Sequence, residues 1–175
     1  VESGRNHSCA AVRSGDVYCW GSNKFGQLGA KTQTMCGGRK GTLCEAKALK
    51  VDGVQDALSV VSRYDHSCAR LSSGQMTCWG HERYGVLGPR DDASNVVKGV
   101  SNVRQIALGR THTCALLRDG SITCWGMNAD GQSGGGNKTR VKVPTSVVWE
   151  AAEASPKQPV PEKADSSKKK TGARK

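Results

Sequence analysis

The chain has 175 residues with a formal net charge of +11, and 36% of them are hydrophobic but only 5% aromatic. No apolar run is long enough to cross a membrane, and 22 glycines favour short strands and tight turns over a helical core. The first residues show neither the basic nor the apolar region of a signal peptide. Because the chain lacks an initiator Met and begins partway through a repeat, we expect it to be a carboxy-terminal piece of a longer protein.

One plan recurs three times along the chain. His, any residue and Cys are followed by a turn ending in Gly, then by Cys-Trp-Gly and a Gly-x-x-Gly close, starting at His7, His66 and His112. The steps between these histidines are 59 and 46 positions, so the first unit carries an insertion of 13. A period of this size predicts an array of supersecondary units that cover each other's apolar faces. The unit boundaries are expected at about 1–53, 54–99 and 100–149.

Each unit is predicted to contain a β-hairpin, because strand-length apolar segments flank a triplet that ends in Gly. A three-residue loop closed by a left-handed Gly fits all three triplets. Counting outward from that loop pairs Cys9 with Cys19, and the equivalent pairs are Cys68 with Cys78 and Cys114 with Cys124. Opposed strand residues bring their Cβ atoms to roughly 4.5–5.5 Å, near the separation that a disulfide needs.

The insertion in the first unit holds the remaining two cysteines, Cys36 and Cys44, which most simply close a small loop on each other. It also holds Lys31, Arg39 and Lys40. Non-repeated loops on a rigid repeat scaffold usually carry binding specificity. We therefore expect this insertion to be the loop that contacts a partner.

The segment 150–175 is rich in Pro, Lys and Ser and is predicted to be a disordered basic tail. Residues 155–175 carry seven Lys or Arg against two acidic residues. Such a tail can bind nucleic acid or an acidic surface, although short basic tails often serve only solubility.

The repeated pattern resembles the regulator of chromosome condensation repeat family. The residues that carry the resemblance are 4–7, 20–29, 109–112 and 125–134, and the second unit departs from it at His81, Glu82 and Val86. The resemblance implies an all-β chain folded as β-propeller blades of four strands. Three units cannot close such a ring, because propellers typically have about four to eight blades. We expect missing blades, or another chain, to complete it.

The histidines and tryptophans of the repeat are expected to be structural. A His and two Cys per unit could supply three zinc ligands, but opposed cysteines suit a disulfide better, and zinc is kept as the alternative. The resemblance implies that each His bonds backbone at the blade edge and that Trp20, Trp79 and Trp125 pack between blades. We expect no cofactor, no metal and no catalytic residue, since a nucleophile repeated in every unit is atypical of an enzyme.

These observations predict a non-enzymatic protein-interaction module that presents loops to a protein partner. The cysteine-bearing repeat looks like those of exported bacterial proteins, and eight pairable cysteines suit an oxidising, extracytoplasmic compartment. If the cysteines are reduced, a nuclear or cytoplasmic setting is the alternative. The family resemblance then raises guanine nucleotide exchange on a small GTPase, and the basic tail raises chromatin association, as other functions.

Overall fold

The computed structural model describes residues 1–38, 41–90 and 95–149. Regular structure in these ranges is almost entirely β-strand, with a short 3₁₀ turn at Arg83–Gly85. The strands form three antiparallel sheets, each of which lies within one of the predicted units. The all-β prediction is confirmed, and the predicted tail, 150–175, lies outside the described residues.

The first sheet has five strands in the order β1-β2-β3-β5-β4. Its strands are β1 (Glu2–Ser3), β2 (His7–Ala11), β3 (Val17–Ser22), β4 (Met35–Cys36) and β5 (Thr42–Lys50). The two-residue β4 belongs to the insertion and pairs with the start of β5. The insertion is therefore a small β-ribbon attached to the outer edge of the first sheet.

The second and third sheets repeat the central hairpin of the first. The second contains β6 (Ala57–Arg63), β7 (His66–Leu71) and β8 (Met76–Gly80). The third contains β9 (Val103–Leu108), β10 (His112–Leu117), β11 (Ile122–Gly126) and β12 (Val141–Ser146). In the second sheet a single bridge between Thr77 and Val96 lies where β12 pairs with β11 in the third.

The hairpin register is the one that the turn triplets predict. Gly15 has a φ of 86°, its N–H donates to the carbonyl of Val12, and Cys9 then lies opposite Cys19. The other two hairpins have the same register. Disulfides join these opposed pairs across Cα–Cα separations of 4.1 Å, and a fourth joins Cys36 to Cys44.

The Gly that follows each repeated Trp is required by a close backbone approach. Gly21 has a φ of 105°, and a Cβ built on it would lie 2.6 Å from the carbonyl oxygen of Asn6. That carbonyl accepts the N–H of Ser22 at 2.7 Å. The equivalent contacts recur at Gly80 and Gly126. A side chain here would force apart the two loops at this end of the sheet.

Two apolar layers join the three sheets side by side, and a repeated Trp lies in each. Trp79 packs in the layer between the first and second sheets, and its Nε1–H donates to the carbonyl of Gln27 at 3.1 Å. Trp125 packs in the layer between the second and third sheets, and its Nε1–H donates to the carbonyl of Val86 at 2.9 Å. Each Trp therefore fixes its sheet to the glycine-rich close of the preceding unit. Trp20 is only partly buried.

The sequence suggested that the repeated His bonds backbone, and this prediction is wrong for His7 and His66. Their side chains bond hydroxyl groups instead. Nε2 of His7 lies 2.8 Å from Oγ of Ser67, and Nε2 of His66 lies 3.3 Å from Oγ1 of Thr113. Both hydroxyls belong to the next sheet. Since the Thr113 hydroxyl already donates its one proton to the Val86 carbonyl, His66 is the donor and its proton lies on Nε2. The His ring bonds a side chain because it reaches past its own sheet to the neighbouring one.

Candidate functional site

Two sets of loops meet at one end of the three sheets. The His-side loops join the first two strands of each sheet and precede the repeated His, at 4–6, 64–65 and 109–111. The Trp-side loops follow the repeated Trp-Gly, at 23–28, 81–87 and 127–133. Because β2 begins and β3 ends at this edge, with His7 opposite Gly21, both sets lie at the same end of the strands. The hairpin turns lie at the other end.

Side chains of the repeat hold the Trp-side loop in the first unit. The Asn23 amide donates to the carbonyl of Ala30 at 2.9 Å, and its oxygen accepts the N–H of Leu28 at 3.0 Å. Gln27 accepts the N–H of Phe25 at 2.8 Å. Asn23 and Gln27 are both buried, so the loop they shape is rigid, and it presents Lys24 and Phe25 outward. Asn128 and Gln132 make matching bonds in the third unit.

The second unit replaces this arrangement with a different one. Glu82 stands at the place of Asn23 and forms an ion pair with Arg90. Tyr84 adopts a left-handed conformation with a φ of 64° inside the 3₁₀ turn. Burial raises the pKa of Glu82, and the charge of Arg90 opposes that rise. In this loop an ion pair stands where the other units have hydrogen bonds from Asn and Gln side chains, and Tyr84 adds backbone strain.

Between the loops lies a cleft of about 720 Å³, which spans all three units. Its middle is formed by the residue two positions before the repeated His in each unit: Arg5, Tyr64 and Arg110. Cζ of Arg110 lies 4.6 Å from the centroid of the Tyr64 ring, and Cζ of Arg5 lies 5.3 Å from it. Both distances are within the cation–π range. A single aromatic ring thus contacts two guanidinium groups.

The rest of the lining repeats the pairing of a cation with an aromatic ring. Phe25 and His81 stack with ring centroids 4.2 Å apart and planes 23° apart. Nζ of Lys24 lies 5.2 Å from the Phe25 centroid, and Cζ of Arg83 lies 4.7 Å from the ring of Tyr84. The cleft is therefore lined by four long cationic side chains that rest on the chain's own rings.

These cations have no carboxylate partners in the part of the chain that the structure describes. The two ion pairs found there are Lys50 with Asp16 and Glu82 with Arg90. Among the described residues, Asp65 is the one acidic residue that lines the cleft. The cleft consequently carries an excess of positive charge, which attracts an anionic ligand or partner.

His66 forms part of the cleft floor and is neutral at physiological pH. Burial, with smaller contributions from the nearby imidazoles of His7, His112 and His81, lowers the pKa of His66 to about 4. Burial lowers the pKa of His7 to about 4, although the charge of Asp65 opposes that change. At neutral pH the buried imidazole of His66 therefore adds no positive charge to the Arg and Lys side chains of the cleft.

Comparison with known proteins explains the repeated architecture. A model of the regulator of chromosome condensation (RCC1) repeat matches residues 1–27, 60–86 and 103–132. The chain contains three RCC1 repeats. The crystal structure of Prp20p from Saccharomyces cerevisiae aligns with a TM-score of 0.70 and 21% identity, over 86% of this chain and 38% of Prp20p. The three sheets are therefore blades of the β-propeller fold.

Curated relatives share the RCC1 repeats within larger proteins. The human E3 ubiquitin-protein ligase HERC2 is 34% identical over 96 residues, which cover 55% of this chain and 2% of HERC2. The secretion-regulating guanine nucleotide exchange factor of Bos taurus is 31% identical over 88 residues, which cover 50% of this chain and 18% of that protein. The chain thus spans less than a fifth of either relative.

The sequence-predicted contact residues are not those that form the cleft. Lys31 is exposed and does not line it, and Arg39 and Lys40 lie outside the described residues. The insertion does border the cleft through Thr42. The cleft residues were missed because they occupy the variable positions within the repeat motifs. Their signal was the recurrence of Arg, Tyr and Arg at the position two before the repeated His.

The repeated cysteines contribute no ligand to this site. All eight are paired in disulfides, and among residues 1–38, 41–90 and 95–149 no cluster of three or more His, Cys, Asp or Glu could hold a metal ion. Nor does any helix in these ranges have the length and hydropathy of a membrane span. The chemistry that the RCC1 blades offer at this end is charge and hydrogen bonding.

Proposed function

We propose that this chain is a non-enzymatic protein-interaction module, a disulfide-braced part of an RCC1 propeller whose loop face binds a protein partner. The observation that carries the proposal is the cationic cleft, which all three blades build together. Its loops are anchored by buried side chains such as Asn23 and Gln27. A rigid surface loses little conformational entropy on binding, so its charges contribute to affinity rather than to ordering.

An extracytoplasmic setting is part of the proposal. Four disulfides join all eight cysteines, and structural disulfides persist mainly in oxidising compartments. Three of them cross the central hairpins, where Cys9, Cys19, Cys68 and Cys78 are fully buried. Such a bond constrains the unfolded chain and thereby stabilises a domain with few aromatic residues. A module of this kind would present its cleft to partners outside the cytoplasm.

Site-specific photo-crosslinking tests whether the loop face is the binding face. A photoreactive amino acid at Lys24 lies beside the cleft, whereas one at Arg13 lies in a hairpin turn at the opposite end of the strands. Both side chains are exposed, so the two probes are matched. With extracytoplasmic proteins of the source cell, we expect a discrete product from the Lys24 probe that excess unlabelled chain suppresses. Identical products from both probes, unaffected by that competitor, would refute the proposal.

A further inference from the structure

We infer that the cleft binds an acidic segment of the partner, whose Asp or Glu carboxylates are bound by Arg5 and Arg110 over the Tyr64 ring. This inference rests on the proposed function and names the chemistry of the partner. Arg5 and Arg110 are exposed, and their guanidinium groups have no ion-pair partner among the described residues. Each still has its fork of N–H donors available for a carboxylate.

The Tyr64 ring prepares these two arginines for binding. Cation–π contacts at 4.6 and 5.3 Å restrict the guanidinium groups, which would otherwise sample many rotamers. A restricted planar fork loses less entropy when it forms bidentate bonds to a carboxylate. The N–H of Arg5 also donates to the Tyr64 carbonyl at 2.8 Å, which ties the first blade to the second. The site is therefore largely formed before the ligand arrives.

The aromatic rings of the cleft argue against single-stranded nucleic acid as the ligand. Binding of single strands uses open aromatic faces on which bases stack. Here Tyr64 is covered by two guanidinium groups, Tyr84 by Arg83, and Phe25 by the His81 ring and the Lys24 ammonium group. These rings support cations instead of offering stacking platforms. That arrangement favours carboxylates on a flexible peptide.

The size of the cleft also suits a peptide segment. Its volume of about 720 Å³ lies in the range of pockets that enclose most of a small ligand, roughly 300–1,000 Å³. Arg83 and Lys24 extend the positive charge away from the central pair, so a segment with several spaced carboxylates can engage more than one blade. Asp65, the single carboxylate that the described residues contribute to the lining, disfavours acidic ligands that approach the His7 side.

Fluorescence anisotropy with labelled hexaglutamate tests the inference on the full chain. The R5Q/R110Q variant should bind about tenfold more weakly or worse, because it loses both charge-assisted contacts. The matched control is R13Q/R118Q, which removes two exposed arginines from the hairpin turns at the opposite end. It should bind within about twofold of the parent chain, since those residues lie outside the cleft.

A second pair of variants separates specific recognition from a general effect of charge. Tyr64→Phe keeps the ring and should leave the affinity unchanged. Tyr64→Leu keeps the net charge but removes the ring that holds both arginines, so it should weaken hexaglutamate binding several-fold. Equal affinities for the two variants would overturn the role assigned to the ring. Circular dichroism checks that every variant is folded, as R5Q/R110Q should be because Arg5 and Arg110 are exposed.

Two further probes identify the alternatives. A K168Q/K169Q/K170Q variant removes charge from the basic tail, and loss of hexaglutamate binding in it alone would place binding in the tail and refute the inference. Labelled oligothymidylate tests nucleic acid. If R5Q/R110Q weakens only oligothymidylate binding, the cleft is a nucleic-acid site instead. If hexaglutamate fails to bind while the Lys24 probe still captures a partner, this inference falls and the proposed function stands.

Discussion

We expect the same substitution to cost different amounts of stability at the two Trp residues that lie between the blades. Trp79→Phe and Trp125→Phe each remove one indole N–H from a buried site and leave a ring in place. The Val86 carbonyl keeps a second donor, the Thr113 hydroxyl at 2.8 Å, after Trp125 is replaced. In the described residues, the Gln27 carbonyl accepts only the Trp79 donor. Replacing Trp79 therefore leaves a buried acceptor without a partner.

The magnitudes follow from that difference. Loss of one hydrogen bond whose acceptor stays satisfied costs about 0.5–1.5 kcal/mol, whereas a buried group left unsatisfied costs about 1–3 kcal/mol. The change in ring volume is the same in both variants and cancels in the comparison. We expect Trp79→Phe to lower the free energy of unfolding by about 1 kcal/mol more than Trp125→Phe does. Urea denaturation under non-reducing conditions measures both values.

A double-mutant cycle provides the control. Combining Trp125→Phe with Thr113→Val removes both donors to the Val86 carbonyl, so the pair should cost about 1 kcal/mol more than the sum of the single variants. The cycle removes the separate effect of Thr113 on His66. Equal costs for Trp79→Phe and Trp125→Phe, together with additive behaviour in the cycle, would refute the assignment of these carbonyl bonds.

Three other expectations concern stability and assembly. The pKa values of His7 and His66 fall from 6.5 to about 4 on folding, so between these pH values the unfolded chain binds more protons than the folded chain. The free energy of unfolding should therefore fall by up to about 3 kcal/mol per histidine between pH 7 and pH 4. Equal stabilities in urea titrations at pH 7, 5.5 and 4.5 would contradict this. The free energy of unfolding of the C68A/C78A variant should be about 2–3 kcal/mol lower, because the disulfide closes a short loop in the unfolded chain. If calorimetry shows unchanged stability, the bond is dispensable. His112 of the third blade is half-buried, and no following blade covers it in the described chain. We therefore expect the chain to self-associate in sedimentation velocity experiments. A monodisperse monomer at all concentrations would argue against open blade flanks.

Features set by local geometry were predictable from the sequence. The Gly at the end of each turn triplet fixes the loop length, and the loop length fixes which residues face each other. Gly15 and the pair Cys9–Cys19 therefore followed from counting, and the structure has that register in all three hairpins. The propeller fold was implied by the resemblance of these motifs to regulator of chromosome condensation repeats, and the structure has that all-β class.

Features that depend on packing between blades were not predictable in the same way. His7 bonds Ser67, which lies 60 positions away in the next blade, and nothing in a single repeat identifies that partner. The cleft arises only when three blades bring Arg5, Tyr64 and Arg110 together. The insertion with Lys31 was expected to contact a partner because it occurs in only one unit. The cleft is instead built from positions that every unit has.

Non-reducing peptide mapping after thiol alkylation tests the disulfide-braced blade most directly. If the register and the oxidising setting are right, all eight cysteines resist alkylation, and the cross-linked peptides map to 9–19, 36–44, 68–78 and 114–124. Free thiols in protein isolated from its natural source would contradict the braced blade and the extracytoplasmic proposal together.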